Sequence, residues 1–301
     1  MGKHYIGHLS YDGSKYYGWQ KQPELPSIQE TIFNAIRELY PLGRIDVKAT
    51  SRTDKGVHAL AQVVKFLAPR KEDPDELRGN LNAALPKAIQ FTQLERINKS
   101  FKISYLPLFK EYLYFFCPHN SEQNYSFVGH NNKEKSLNIE IMKEGAELFT
   151  GIHSFKNFQY KSDSLGGFER EIYLSRIVKA HEIFPEAFKI EDPIYIFHIK
   201  GKGFLKQMVR LIMGSLIHLG DGTVTCEDIK NALEGEEMGP RVGYIAPGSG
   251  LFLYHIEFPE VAVNDLKRHV VDKKLFLEQY PQFELWSEES GNKSFSLDIK
   301  D

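Results

Sequence analysis

The chain has 301 residues, of which 42% are hydrophobic and 13% aromatic. This composition supplies enough apolar surface for one large or two smaller domains and excludes an intrinsically disordered chain. The formal net charge of −2 counts against a strongly basic nucleic-acid-binding protein, although a neutral protein can still carry a local basic surface.

The N-terminal residues lack the basic start and apolar run of a signal peptide. No stretch reaches the roughly 18 uninterrupted apolar residues that a membrane span requires. Cys117 and Cys226 lie far apart and match no metal-binding spacing. We therefore expect a cytoplasmic protein with free thiols and no membrane association.

Strands and helices alternate in the first part of the chain. Ser27 and Glu30 have capping-box spacing and predict a helix start, and Asp73 followed by Pro74 predicts another. Strands are expected at residues 5–11, 45–50, 61–67 and 89–97. Together these elements predict an N-terminal lobe over residues 1–107.

The second part of the chain repeats this pattern. Strands are expected at residues 111–117, 171–183, 194–200 and 251–258. Helices are expected at 138–149, at 204–219 and after Thr225. We predict a second lobe over 108–260, followed by a charged C-terminal appendage over 261–301. Alternating strands favour antiparallel pairing, so the predicted fold class is α+β.

The loop from Arg52 to His58 concentrates charged side chains between two apolar strands, and it includes Asp54 and Lys55. Catalytic residues are often found on such loops, which a rigid scaffold positions. A solvated hairpin turn would have a similar composition. The pattern alone leaves both interpretations open.

Two further segments carry candidate functional side chains. Lys206 and Arg210 lie one turn apart on the predicted apolar helix, where a cation needs either a structural salt bridge or an anionic site. Tyr112 and Tyr114 fall on one face of a predicted strand. They are either core residues or rings that stack on a base.

These segments belong to an ordered series of motifs that resembles the TruA family of tRNA pseudouridine synthases over about residues 3–258. The series comprises Tyr11-Asp12-Gly13, Gly18-Trp19-Gln20, Ser27-Ile28-Gln29-Glu30, Arg52-Thr53-Asp54-Lys55-Gly56-Val57-His58-Ala59, Gln62-Val63, Leu81-Asn82, Leu85-Pro86, Tyr112, Tyr114, Gly203-Phe204-Leu205, Met208-Val209-Arg210, Gly214, Ala246-Pro247 and Gly250-Leu251.

The resemblance implies two ferredoxin-like lobes that share a mostly antiparallel central sheet, with the catalytic cleft between them. It also implies a homodimer that isomerises uridine to pseudouridine at positions 38 to 40 of the tRNA anticodon arm. The expected reaction uses neither a cofactor nor a metal.

The resemblance also implies roles for individual residues. Asp54 corresponds to the family's nucleophile, and Tyr112 to the tyrosine that packs against the target base. Arg210 corresponds to the arginine that pairs with the nucleophile. Arg52 corresponds to an arginine that takes the place of the flipped base in the stack. Whether the nucleophile attacks the sugar or the base stays open at this point.

Lys55 and His58 are further candidates for substrate binding. Ser104 and Ser154 depart from the family pattern at polar positions, so a tRNA-binding protein without activity is one alternative. A small-molecule acid–base enzyme that uses Asp54 and His58 is another. Turnover of tRNA separates the first alternative from the enzyme, and affinity for RNA separates the second.

Overall fold

The computed structural model describes residues 3–99, 101, 103, 107–119, 127–131, 136–160, 167–185, 187–188, 193–235 and 242–258. These residues form two compact units. The first unit runs to Leu108 and resumes at Leu253, whereas the second spans Phe109–Phe252.

The sequence-based division into 1–107, 108–260 and 261–301 stays a prediction. Its C-terminal appendage and the departure at Ser104 both lie outside the described residues.

The first unit has six main elements in β-α-β-β-α-β order. They are β1 (Lys3–Tyr11), α1 (Ile28–Leu39), β2 (Asp46–Ala49), β3 (His58–Ala68), α2 (Pro74–Ala84) and β4 (Ile89–Ile97). In the sheet, β1 lies between β4 and β3, and β2 pairs with β3. All of these pairs are antiparallel. This is the ferredoxin-like arrangement that the family resemblance implied for the first lobe.

Both helix starts predicted for this unit are confirmed. The Ser27 hydroxyl accepts a hydrogen bond from the backbone N–H of Glu30, 3.4 Å away. The carboxylate of Asp73 accepts from the first-turn N–H groups of α2, and Pro74 occupies the first turn. Each cap satisfies backbone donors that the helix itself leaves unpaired.

The core of the first unit lies between the sheet and its two helices. The Tyr5 and Phe66 rings stack at 5.5 Å, and the Phe66 and Phe91 rings lie 5.8 Å apart. Ile32 and Leu77, from the apolar stripes of α1 and α2, have no exposed surface. Each fully buried side chain of this size contributes about 1.5–3 kcal/mol to stability.

The second unit contains most of the remaining elements. They are β5 (Phe109–Cys117), β6 (His130–Asn131), α3 (Ile139–Glu147), β7 (Gly151–Ser154), β8 (Glu169–Lys179), α4 (Ala180–Ile183), β9 (Tyr195–Gly201), α5 (Met208–Gly220) and α6 (Cys226–Leu233). Its strand order is β5-β9-β8-β7, with β6 beside β5. The final strand, β10 (Leu251–Glu257), begins in this unit and ends in the first.

Pairing in the second unit is antiparallel except between β5 and β6. The predicted α+β class with mostly antiparallel strands is therefore confirmed. Helix α5 forms the centre of this unit, since 11 of its 13 residues are buried. None of the helices among the described residues combines the length and the apolar character needed to cross a lipid bilayer.

The strand predicted over 171–183 is wrong at its C-terminal end. Strand β8 stops at Lys179, and the short helix α4 follows. The Glu182 carboxylate accepts a hydrogen bond of 2.8 Å from the backbone N–H of Lys179, which caps the start of α4. The Glu182 side chain thus ends β8, because it gives the backbone N–H of Lys179 a local partner in place of a neighbouring strand.

Candidate functional site

Asp54 lies in the irregular loop that connects β2 to β3 in the first unit. The carbonyl of Asp54 accepts a hydrogen bond of 3.2 Å from the backbone N–H of Val57, which closes a tight turn. Gly56 within this turn has a positive φ of 74°. The side chain of Asp54 is half-buried, whereas Arg52 and Lys55 are exposed.

The backbone around Asp54 is bound to the segment that follows β1. On one side, the backbone N–H of Trp19 donates to the carbonyl of Thr53 at 3.0 Å. On the other side, the backbone N–H of Gly56 donates to the carbonyl of Tyr16 at 3.1 Å. Hydrogen bonds to an early, distant segment of the chain therefore fix the position of the Asp54 backbone on both flanks.

Gly18 makes this close approach possible. Its φ is +94°, a conformation that residues with a side chain rarely adopt. A Cβ atom at this position would lie 2.6 Å from the Thr53 carbonyl oxygen and 3.0 Å from the Asp54 carbonyl carbon. A larger residue at position 18 would therefore push the two segments apart.

A buried glutamine supports the N-terminal end of the same loop. The Gln62 side chain is fully buried, accepts from the backbone N–H of Ser51 at 3.1 Å and donates to the Ser51 carbonyl at 2.8 Å. The hydroxyls of Tyr11 and Thr53 lie 2.8 Å apart in the same layer. Buried polar side chains thus support the Asp54 loop, and they are well suited to fixing a unique geometry.

These supporting residues belong to the sequence motifs, but the sequence pattern indicated no role for them. One signal could have identified Gln62, because it is a polar residue in the middle of the apolar run of β3. A buried polar side chain requires hydrogen-bond partners, and the unpaired backbone of an adjacent loop provides them.

His58 forms a buried pair with Asp12. The two side chains approach to 3.1 Å between Nδ1 and Oδ1, and His58 is only 2% exposed. The same Nδ1 lies 3.3 Å from the backbone nitrogen of Gly13. One ring nitrogen cannot donate and accept at once. Because the contact with Asp12 is shorter and the carboxylate is charged, the Nδ1–H of His58 is best assigned as a donor to Asp12.

The environment of Asp12 favours its ionised form. Burial disfavours the charge, but hydrogen bonds from His58 and from the backbone N–H of Ser14 outweigh it, and the pKa of Asp12 falls to about 2. The pair therefore places the ionised carboxylate of Asp12 next to the C-terminal end of the Asp54 loop. Whether His58 also binds substrate stays a prediction.

Tyr112 and Arg210 both belong to the second unit. Tyr112 lies on β5 opposite Ile199, and its side chain is 9% exposed. Its ring contacts the ring of Phe204 edge-on, with the centroids 5.2 Å apart. Because Phe204 comes from the segment before α5, this contact links β5 to the N-terminal end of the helix that carries Arg210.

The helix predicted from residue 204 begins later, at Met208. Gln207 precedes it with a φ of 59°, in the left-handed region. A non-glycine residue rarely adopts this conformation, so sequence periodicity could not predict it. As a result Phe204 stands outside the helix, and its ring is available for Tyr112.

Arg210 lies in the first turn of α5 and is held by the backbone of Ala246. Its Nε donates to the Ala246 carbonyl at 2.6 Å, and the Ala246 N–H donates to the Arg210 carbonyl at 3.2 Å. These two bonds give the Ala246-Pro247 motif a physical role. They orient the guanidinium, whose planar fork carries four further N–H groups.

Tyr114, the second tyrosine on this face of β5, is fully buried. Burial raises the pKa of its hydroxyl well above the usual value, and the neighbouring Tyr244 raises it further. A Cβ atom on Gly129 would lie 2.1 Å from that hydroxyl. Tyr114 is therefore a packing residue rather than a ring that is open to a base.

The predicted site residues thus fall into two groups. Arg52, Asp54 and Lys55 share one loop of the first unit, and His58 follows them as the first residue of β3. Tyr112 and Arg210 lie on β5 and α5 of the second unit. Among the described residues, no three His, Cys, Asp or Glu side chains are grouped so that they could hold a metal ion.

Comparisons with known proteins agree on one family. A family profile described as tRNA pseudouridine synthase matches residues 9–105 and 146–259. The chain is 32% identical over 252 residues to tRNA pseudouridine synthase A of Acetivibrio thermocellus, covering 83% of this chain and 97% of that relative. It is 33% identical over 253 residues to the synthase A of Ruminiclostridium cellulolyticum, with the same coverage of 83% and 97%.

Solved structures show a more distant similarity. A crystal structure of an archaeal box H/ACA sRNP complex matches with a TM-score of 0.35 and 15% identity, covering 92% of this chain. The chain spans 57% of the length of that solved chain.

Proposed function

The chain belongs to the tRNA pseudouridine synthase family, and we propose that it converts uridines 38 to 40 of the tRNA anticodon arm to pseudouridine with Asp54 as the covalent nucleophile. The observation that carries this proposal is the position of Asp54. Its carboxylate is half-buried, and the backbone bonds of Thr53 and Gly56 hold its flanks. A reacting group benefits most from such fixed placement.

The reaction requires only the redistribution of bonds within one nucleotide. The N1–C1′ bond breaks, the uracil turns, and a C5–C1′ bond forms. The C5 proton leaves and N1 takes up a proton, so the composition of the nucleotide does not change. Neither an oxidant nor a phosphoryl donor enters this balance.

In the proposed mechanism an ionised Asp54 forms a temporary bond to the nucleotide and is released when the C5–C1′ bond forms. The covalent adduct divides one difficult step into two easier ones. Arg210 provides the cation that keeps the carboxylate charged before attack. The ring of Tyr112 packs against the turned base, and its hydroxyl is the candidate acceptor for the C5 proton.

The target uridine must leave the base stack before it can react, which costs a few kcal/mol. Arg52 is exposed and directly precedes the buried Thr53. Its flat guanidinium is suited to occupy the place that the flipped base leaves in the stack. The resemblance to the family also leads us to propose a homodimer that acts in the cytoplasm, which sedimentation and fractionation would test.

The decisive experiment incubates purified Asp54→Asn protein with unmodified tRNA and maps pseudouridine at single-nucleotide resolution. We expect no product at positions 38 to 40 and nearly unchanged tRNA binding, because only the nucleophile is lost. Asp12→Asn is a matched control, since it removes a nearby carboxylate outside the proposed reaction and should leave measurable turnover. Product formation by Asp54→Asn at a rate near that of the wild type would exclude the proposed nucleophile.

A further inference from the structure

Two exposed tyrosines in this protein each carry a lysine ammonium over the ring. The Nζ of Lys55 lies 4.2 Å from the ring centroid of Tyr17, which is 37% exposed. The Nζ of Lys206 lies 5.4 Å from the ring centroid of Tyr160, which is 38% exposed. Both distances fall within the range at which an aromatic face attracts a cation.

Each lysine is a near neighbour of a candidate catalytic residue in its own unit. Lys55 directly follows Asp54 in the loop after β2. Lys206 precedes Arg210 by four residues, in the segment that leads into α5. A fixed positive charge at either place would therefore lie beside a residue that acts on the substrate.

The backbone around both tyrosines is fixed. The N–H of Tyr17 donates to the Pro26 carbonyl at 2.9 Å, and the Gln22 side chain donates to the Tyr17 carbonyl at 2.9 Å. The N–H of Tyr160 donates to the carbonyl of Lys206 itself at 3.1 Å. Each ring is thus a stable support for a long side chain that would otherwise sample many rotamers.

Two other lysines that lie over rings, Lys21 and Lys200, are already neutralised by a carboxylate. Lys21 lies 5.9 Å from the Phe33 centroid, but it also pairs with the Glu30 carboxylate at 3.0 Å. Lys200 pairs with the Glu111 carboxylate at 3.7 Å. These two contacts are complete within the protein and need no external anion.

Neither Lys55 nor Lys206 forms an ion pair with a carboxylate of the described residues. Because each ring holds an ammonium that no described carboxylate neutralises, both lysines are available to an external anion. We propose that Tyr17 and Tyr160 are positioning residues that hold Lys55 and Lys206 against phosphates of the tRNA backbone. This inference rests on the proposed function, because it takes the substrate to be tRNA.

The test compares steady-state kinetics and salt-dependent tRNA binding of Tyr17→Leu, Tyr17→Phe and Lys55→Met. Loss of the ring should raise KM for tRNA about two- to five-fold and change kcat little, because an exposed cation–π contact is weak. Tyr17→Phe keeps the ring and should restore the wild-type KM. Lys55→Met should lower the slope of log affinity against log salt by about 1.

A double variant separates positioning from direct stacking on a base. If Tyr17 acts through Lys55, the change Tyr17→Leu has no further effect when Lys55→Met is already present. An undiminished effect of Tyr17→Leu in that background would overturn the proposal in favour of direct stacking. The corresponding series with Tyr160→Leu and Lys206→Met tests the second pair in the same way.

Phe33→Leu is the matched control, because it removes a ring from beneath a lysine that Glu30 already neutralises. Its KM should equal that of the wild type, and a rise equal to that of Tyr17→Leu would also overturn the inference. Failure of this inference is distinguishable from failure of the proposed function. Binding is measured without turnover, whereas the role of Asp54 is tested by product formation.

Discussion

The two units hold their candidate catalytic residues in different ways. In the first unit, Asp54 lies on an irregular loop whose position depends on backbone bonds to a segment about 35 residues earlier in the chain, at Trp19 and Tyr16. In the second unit, Tyr112 lies on a central strand and Arg210 on a buried helix. The loop is therefore sensitive to small steric changes in a distant segment, whereas the strand and helix depend on core packing.

Each of the two sites depends on a residue with positive φ. The first unit uses a glycine with positive φ, Gly18, so that two loops can approach closely. The second unit forces Gln207, a residue with a side chain, into the same region of backbone space. The Oε1 of Gln207 is also buried and has no hydrogen-bond partner among the described residues. Substitutions at Gly18 and Gln207 separate the two arrangements.

The largest effect is expected from Gly18→Ala. The added Cβ would meet the Thr53 carbonyl oxygen at 2.6 Å and force the Asp54 loop to shift. Because a displacement of about 1 Å can cost 100-fold in rate, kcat/KM should fall by about that factor or more. Site-resolved pseudouridine formation measures this loss, and thermal unfolding shows whether the fold persists.

Gly79→Ala is the control for that prediction. Gly79 lies in α2, and a Cβ atom there would have no neighbouring atom within 4 Å. Alanine is the better helix former, so stability should rise by up to about 1 kcal/mol with no change in rate. Wild-type kcat/KM in Gly18→Ala would show that the contact between the two segments does not position the nucleophile.

An intermediate effect is expected from the pH dependence of the Asp12–His58 pair. The pKa of Asp12 is about 2 in the folded protein, below its ordinary value of 3.8. A depressed carboxyl pKa stabilises the fold above the unfolded-state value, and this stability is lost as the pH falls from about 4 towards 2. The contribution is at most about 2 kcal/mol.

Urea unfolding of the wild type and of Asp12→Asn between pH 6 and pH 2 measures this contribution. Asp12→Asn should be less stable near neutral pH, and the two stability curves should converge as the pH falls. Parallel curves over the whole interval would show that the His58 contact does not lower the carboxyl pKa.

The smallest effect is expected from relieving the backbone strain at Gln207. Gln207→Gly and Gln207→Ala remove the same side chain, but only glycine adopts positive φ without a steric penalty. The glycine variant should therefore be more stable than the alanine variant by about 1 kcal/mol. Equal unfolding midpoints for the two variants would mean that this residue stores no strain.

Local signals in the sequence predicted the parts of the fold that depend on neighbouring residues. Ser27, Asp73 and Thr225 mark helix starts, and each of them caps its helix in the structure. The apolar run over residues 204–219 correctly indicated a buried helix, although the helix begins only at Met208. These features follow from short-range hydrogen bonding and periodicity, which a single sequence displays directly.

The sequence could not predict features that depend on contacts between distant segments. The delayed start of α5 requires the left-handed conformation at Gln207, and nothing in the local pattern indicates it. Likewise, the fixed position of the Asp54 loop requires the carbonyl of Tyr16 and the N–H of Trp19. The motifs identified which residues matter, but only the folded chain shows which of them support others.

The first unit is not a continuous piece of the chain, since it resumes at Leu253 and the carbonyl of Glu257 accepts a hydrogen bond of 2.7 Å from the N–H of Leu108. During synthesis on the ribosome, this unit cannot be completed until residues 109–252 have emerged. The Asp54 loop is therefore made early, but the unit that carries it gains its last strand only after the second unit has been made. A nascent chain halted between the two segments would expose an unfinished sheet edge, which is a potential site of self-association.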